Sequence, residues 1–184
     1  MSFEFTELIR GLQCQSMEDV SKILQRGVNV NEAMPNGWAA IHYASNYRHS
    51  CVALLLQYGA NVNAKTNAGW TPLHGAVDSK SDSMVEYLLT HGANADVHMH
   101  DGTTPLHLAI GRDDASMVNI LLNHSANWWT GTLTPFMRLM NMNDISQDMI
   151  RMIKKRNQQV KENVRFALAN YPLADLESSI ASFL

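Results

Sequence analysis

The sequence predicts an all-α solenoid: helix-turn-helix units joined by short β-hairpins, closed at the C-terminal end by a helical cap. Three observations predict it. Gly27, Gly59 and Gly92 recur at spacings of 32 and 33, each followed by a small residue and an Asn, and Ser125-Ala126-Asn127 continues the series 33 residues on. Two further columns keep the same spacings, Gly37, Gly69 and Gly102, and His42, His74 and His107. Between them apolar residues return at helical spacing, Val85, Leu88 and Leu89, then Val118, Leu121 and Leu122. A fixed period of this length marks units too small to bury their own apolar face, so that each must stack on its neighbours.

The elements follow in order. Residues 1–33 form a cap-like N-terminal unit that keeps only the second half of the pattern, in Val20, Ile23, Leu24 and Gly27. Three recognisable repeats follow at 34–65, 66–98 and 99–130. Thr71 and Thr104 suit a helix N-cap. Pro72 and Pro105 suit the first helical position, where a missing N–H costs nothing. Gly59 and Gly92 end second helices, where a left-handed residue is wanted. The 34–65 unit departs from this pattern with Ala39-Ala40-Ile41-His42, losing both Thr and Pro. It is also one residue short, since His42 to Gly59 is 17 and His74 to Gly92 is 18. Its first helix or inter-helix turn should be shortened or distorted.

A degenerate fifth repeat occupies 131–157, where Thr134-Pro135-Phe136-Met137 lacks the His. Eleven methionines are an excess, and five of them lie between Met137 and Met152, where the pattern fails. A flexible thioether fills irregular gaps there, or offers a soft surface to a partner helix. Residues 158–184 form the helical cap, with Val160, Val164, Ala167 and Leu168 on one face and Pro172 as a break before Leu173, Leu176 and Ile180. Segment 147–170 reads equally as one helix or two.

Composition removes several function classes. The 184 residues carry 14 basic and 17 acidic groups, too mild a balance for the chain as a whole to bind nucleic acid or a membrane surface. The charge is uneven, at −5 over residues 1–137 and +2 over 138–184. No apolar run is long enough to span a membrane, and residues 1–10 do not read as a signal peptide. Cys14 and Cys51 read as free thiols within helices, inert and in a reducing compartment. His98-x-His100 can chelate from one strand face, but only Asp96 and Asp101 stand near them in sequence, so a hairpin tip is the expected reading and no metal or other cofactor is implied. No nucleophile–base pairing and no phosphate-binding loop is present, and an enzyme is not expected. The basic stretch Arg151, Lys154, Lys155, Arg156, Lys161 and Arg165 reads as a solvated helix face; a nucleic-acid contact over 151–165 is the alternative.

Thr71-Pro72-Leu73-His74 and Thr104-Pro105-Leu106-His107, set in this period, resemble the ankyrin-repeat family over about residues 17–127. The resemblance implies that the His column supports helix starts by hydrogen bonding, and that hairpin tips and the exposed side of each first helix form a recognition surface. By motif position that surface holds Trp38, Tyr47, Trp70, Asp78, His100, Asp101, Arg112, Asp113, Trp128 and Trp129, with Thr103 among their neighbours. Stacking would set equivalent positions about 10 Å apart, so the tryptophans form a row, and Trp, Tyr and Arg are the commonest interface hot spots. Packing of each Trp on the neighbouring hairpin is the structural alternative.

The implied function is a small stand-alone, non-enzymatic module, monomeric on its own, that binds and regulates another protein in the cytoplasm, with the nucleus as a second compartment. The shortened second unit is similar to that of ankyrin-type inhibitors of cyclin-dependent kinases. This points to a partner complex that contains a protein kinase and controls the cell cycle or DNA replication. An adaptor presenting a substrate to another enzyme remains the alternative.

Overall fold

Ser2, Ser16, Thr71, Ser81, Thr104 and Asp114 stand at helix starts, and each has a side chain that can cap one. The computed structural model describes residues 2–14, 16–46, 49–124 and Lys155; all but Lys155 belong to a compact unit spanning Met1–Asp144, and Lys155 to a second spanning Ile145–Leu184. Tyr47, Trp128, Trp129, the methionine cluster, the expected fifth repeat and the expected C-terminal cap lie outside the described residues. In the basic stretch Lys155 alone is described, and it is helical and exposed.

The first pair is α1 (Phe3–Gln13) and α2 (Met17–Gln25). Ser2 Oγ accepts from the Phe5 N–H at 3.2 Å and Ser16 Oγ from the Asp19 N–H at 3.3 Å, each satisfying one of the donors a helix start leaves open. The cap-like unit is therefore a complete helix pair. Its first helix carries Phe5, Leu8, Ile9 and Leu12, all buried and spaced for one helical face.

Three more pairs follow among the described residues. They are α3 (Ala40–Ser45) with α4 (His49–Gln57), α5 (Pro72–Asp78) with α6 (Asp82–Thr90), and α7 (Pro105–Gly111) with α8 (Ala115–Asn123). First helices pack on first helices, α1 on α3, α3 on α5 and α5 on α7, and among the second helices α2 packs on α4 and α6 on α8. The second helices bury the expected residues: Val20, Ile23 and Leu24; Val85, Leu88 and Leu89; Val118, Leu121 and Leu122. Each such side chain taken from water contributes roughly 1.5–3 kcal/mol, against its own unit's first helix and the neighbouring unit together.

The short second repeat behaves as its sequence predicts. Helix α3 has six residues where α5 and α7 have seven. Ala39 has no acceptor at the N-cap, whereas Thr104 Oγ1 takes the His107 N–H at 3.3 Å.

The hairpins are present, though only as turns. Among the described residues no strand forms, and one isolated bridge joins Ala33 to Ala39. Each tip closes in the same way: Met34 N–H to Trp38 O at 2.8 Å, Thr66 N–H to Trp70 O at 2.9 Å, Met99 N–H to Thr103 O at 2.8 Å. One closing bond of this kind at each tip does not make a ladder.

The two glycine columns differ in their physical cause. Gly59 has φ +82° with open space where a Cβ would stand, so only the left-handed backbone demands glycine. Gly37 has φ +83°, and a Cβ there would also lie 2.6 Å from the Asn67 nitrogen, because the next hairpin's backbone approaches that closely.

Candidate protein-interaction face

The hairpin tips and first helices are held together by three buried histidines. The Ala39, Thr71 and Thr104 N–H groups donate to Nδ1 of His42, His74 and His107 at 3.1, 3.2 and 3.1 Å. A backbone N–H can only donate, so Nδ1 carries the lone pair and Nε2 the proton. From Nε2, His42 donates to the Ala64 and Trp70 carbonyls at 3.1 and 3.3 Å, and His74 to the Thr103 carbonyl at 3.3 Å. Each of these two rings therefore starts its own helix and anchors the next hairpin. Burial opposes their charged form: the pKa of His42 is lowered, and that of His74 falls to about 4. With both nitrogens engaged and the ring neutral at pH 7, His42 and His74 are not placed to move protons or bind metal.

Trp38 and Trp70 stand on this frame. Each ring lies against its own repeat's histidine, with centroids 5.6 Å apart for Trp38–His42 and 5.5 Å for Trp70–His74. Trp38 also meets Tyr43 at 5.2 Å. Both tryptophans are half-buried. The Asn67 N–H donates to Asn36 O at 3.0 Å and the His100 N–H to Ala68 O at 3.1 Å, which fixes neighbouring tips side by side.

The remaining expected residues divide. Asp78, at the end of α5, pairs with Arg112, just past the end of α7, so these two are engaged across repeats. Asp101 is exposed at its tip; its Oδ1 takes the Thr103 N–H at 2.9 Å, and that bond holds its carboxyl below the usual range. His100 is exposed beside it. Asp113 is exposed in the α7–α8 turn with φ 52°, the counterpart of Lys80 at φ 55° between α5 and α6. Thr103, expected among the surface residues, is buried, because its carbonyl serves His74. Cys51 is buried as expected, but Cys14 is exposed at the C-cap of α1 rather than packed among apolar side chains. His98 is exposed, and among the described residues no group of three or more His, Cys, Asp or Glu side chains could hold a metal ion. No described helix is long and apolar enough to cross a membrane.

Two family profiles match the chain. One, for three copies of the ankyrin repeat, covers residues 12–99; the other, for a single ankyrin repeat, covers 101–129; together they span more than half of the chain. The chain belongs to the ankyrin-repeat family. No curated protein matches it closely enough to count as a relative. As an ankyrin-repeat protein it is a protein-interaction module, of a kind that is generally non-catalytic.

One set of ankyrin residues was not singled out from the sequence beyond being Asn-rich. Asn31 Nδ2 donates to the Gly59 carbonyl at 2.9 Å while its Oδ1 takes the Asn61 N–H at 2.8 Å. Asn63 repeats the pair one unit on, with the Gly92 carbonyl at 2.9 Å and the Asn94 N–H at 2.8 Å. Their signal is a fourth column, Asn31, Asn63 and Asp96, at spacings of 32 and 33. An amide holds a donor and an acceptor on one side chain, which this double contact requires. At Asp96 a carboxyl group replaces the amide.

Proposed function

We propose that the face built from the hairpin tips and first helices binds another protein and regulates it. The observation that carries this reading is the pair Trp38 and Trp70, each fixed on a buried histidine and half open to solvent on a frame of hydrogen-bonded tips. A large side chain held rigid loses little entropy on binding and makes an effective anchor. Tyr47, His100 and Asp101 belong to this face by motif position, with Asp78, Arg112 and Asp113 at its edge. Trp128 and Trp129 extend it in the proposal, and they lie outside the described residues.

The narrower reading is a regulatory or inhibitory subunit of a complex that contains a protein kinase and acts in cell-cycle or replication control. Its support is the second repeat, with a six-residue α3 and no Thr-Pro start. The proposed compartments are the cytoplasm and the nucleus.

Affinity capture with quantitative mass spectrometry tests both levels. The wild-type chain should retain a partner that a W38A/W70A double variant loses. For the narrower reading, a protein kinase or its cyclin-like subunit should be in the retained set. Equal retention by both forms counts against the face, and a retained set without any kinase component counts against the narrower reading alone.

A further inference from the structure

Gly75 sits where a glycine weakens its helix. It lies in the middle of α5 and is buried. Its N–H reaches the Thr71 carbonyl at 3.2 Å and its carbonyl takes the Ser79 N–H at 2.9 Å, both regular helical bonds. No left-handed backbone demands glycine there, and alanine is the better helix former. We propose, resting on the binding face above, that Gly75 is a positioning residue of that face: it leaves the space in which the Asn46 amide lies near the Trp70 indole, and so sets both side chains for the partner.

Three observations carry this. The first is the space itself. A Cβ on Gly75 would stand 2.5 Å from Asn46 Oδ1, 3.5 Å from Ser45 Oγ and 3.5 Å from Trp70 Nε1. Side chains from the end of α3 and from the tip that precedes α5 therefore converge over one glycine. Ser45 Oγ is tied to the His42 carbonyl of its own helix at 3.0 Å. No hydrogen bond among the described residues holds the Asn46 amide, so its place depends on packing against α5.

The second is register. Asn46 follows His42 by four residues, as Asp78 follows His74, so it stands in the column that gives Asp78 to the face. Gly75 is the counterpart of Tyr43 and Leu108, each the residue after its repeat's histidine, and both of those are half-buried. Gly75 is thus a gap in a column that is otherwise bulky. One repeat on, Leu108 stands in place of the glycine, and Asp78 pairs with Arg112.

The third is the kind of obstacle. At Gly37 a new Cβ would meet backbone, whereas at Gly75 the nearest atom is the end of a side chain. The fold can therefore accept alanine at 75 by turning the Asn46 amide away. What alanine removes is the place of that amide and the surroundings of the Trp70 indole. A glycine that lowers helix propensity with no backbone need for it has its reason in what lies over it.

The test compares G75A, N46A and G75A/N46A with the wild-type chain and W38A/W70A. Three quantities are read: the melting temperature, the Trp70 indole N–H resonance assigned with W70F, and retention of the captured partner. G75A should melt no lower than wild type, should shift the Trp70 resonance, and should retain at least about threefold less partner. In the N46A background the same change should move the resonance and the retention much less, because no amide is left to displace. A melting temperature lowered by several degrees in G75A would show that the glycine serves packing, and would overturn the proposal. So would an unmoved resonance, or equal effects of G75A with and without Asn46. Full retention by G75A with loss in W38A/W70A overturns this proposal alone, whereas full retention by W38A/W70A counts against the face itself.

Discussion

His74 shows how one side chain sets both local and inter-repeat structure, and it makes the protein acid-sensitive. Its folded pKa of about 4 lies below the ordinary 6.5, so the unfolded chain binds the proton more readily between those values. The stability it contributes is complete above about pH 6.5 and is lost as pH falls toward 4. The stability difference between wild type and H74Q, measured by urea unfolding, should shrink by roughly 3 kcal/mol from pH 7 to pH 4. A difference that stays constant would mean that the ring is not held neutral by burial. The two glycine columns give a second residue-scale test. G59A should cost about 1–2 kcal/mol from the left-handed backbone alone. G37A should cost more, because the new Cβ would collide with the Asn67 backbone. Equal denaturation midpoints for the two variants would contradict that distinction.

Among the elements, the helix starts were the most readable from sequence and the first unit the least. Thr104 and Pro105 announce α7, and the missing Thr and Pro at Ala39 and Ala40 announce a short α3, because capping is local chemistry. Helix α1 carries none of the Thr-Pro-Leu-His pattern, so the motif alone shows only the second half of its unit. Its trace was the apolar spacing of Phe5, Leu8, Ile9 and Leu12. Placing Thr and Pro at 39 and 40 should therefore repair α3. Thr71 and Thr104 are fully accommodated at the equivalent buried site, so A39T/A40P should raise stability by about 1 kcal/mol, read as a rise in melting temperature of a few degrees. A fall would show that the short unit needs its irregular start. Leu8→Ala should lower stability by about 3 kcal/mol if α1 is a packed part of the array.

At the scale of the whole molecule, an array gains its stability from the contacts between units as much as from the units themselves. The Asn column is one such contact, legible in the sequence as spacing alone; that each amide spans two units depends on how the units stack, which no single unit encodes. N63A removes a donor and an acceptor between repeats and should cost about 1–3 kcal/mol, with a broader unfolding transition as the units uncouple. D78A, which removes an exposed pair, should cost less than about 1 kcal/mol. The binding face was legible in the same partial way. Motif position set Trp38 and Trp70 at equivalent places, but the packing of each ring against its own repeat's histidine is a matter of tertiary structure. Thr103 was assigned to that surface for want of the same information. The most direct test of the face is amide hydrogen exchange of the chain with and without its captured partner. The account predicts slowed exchange at the tips 34–38, 66–70 and 99–103 and along the first helices α3, α5 and α7, with little change in α4, α6 and α8. Protection confined to the second helices, with the tips exchanging as in the free protein, would contradict it.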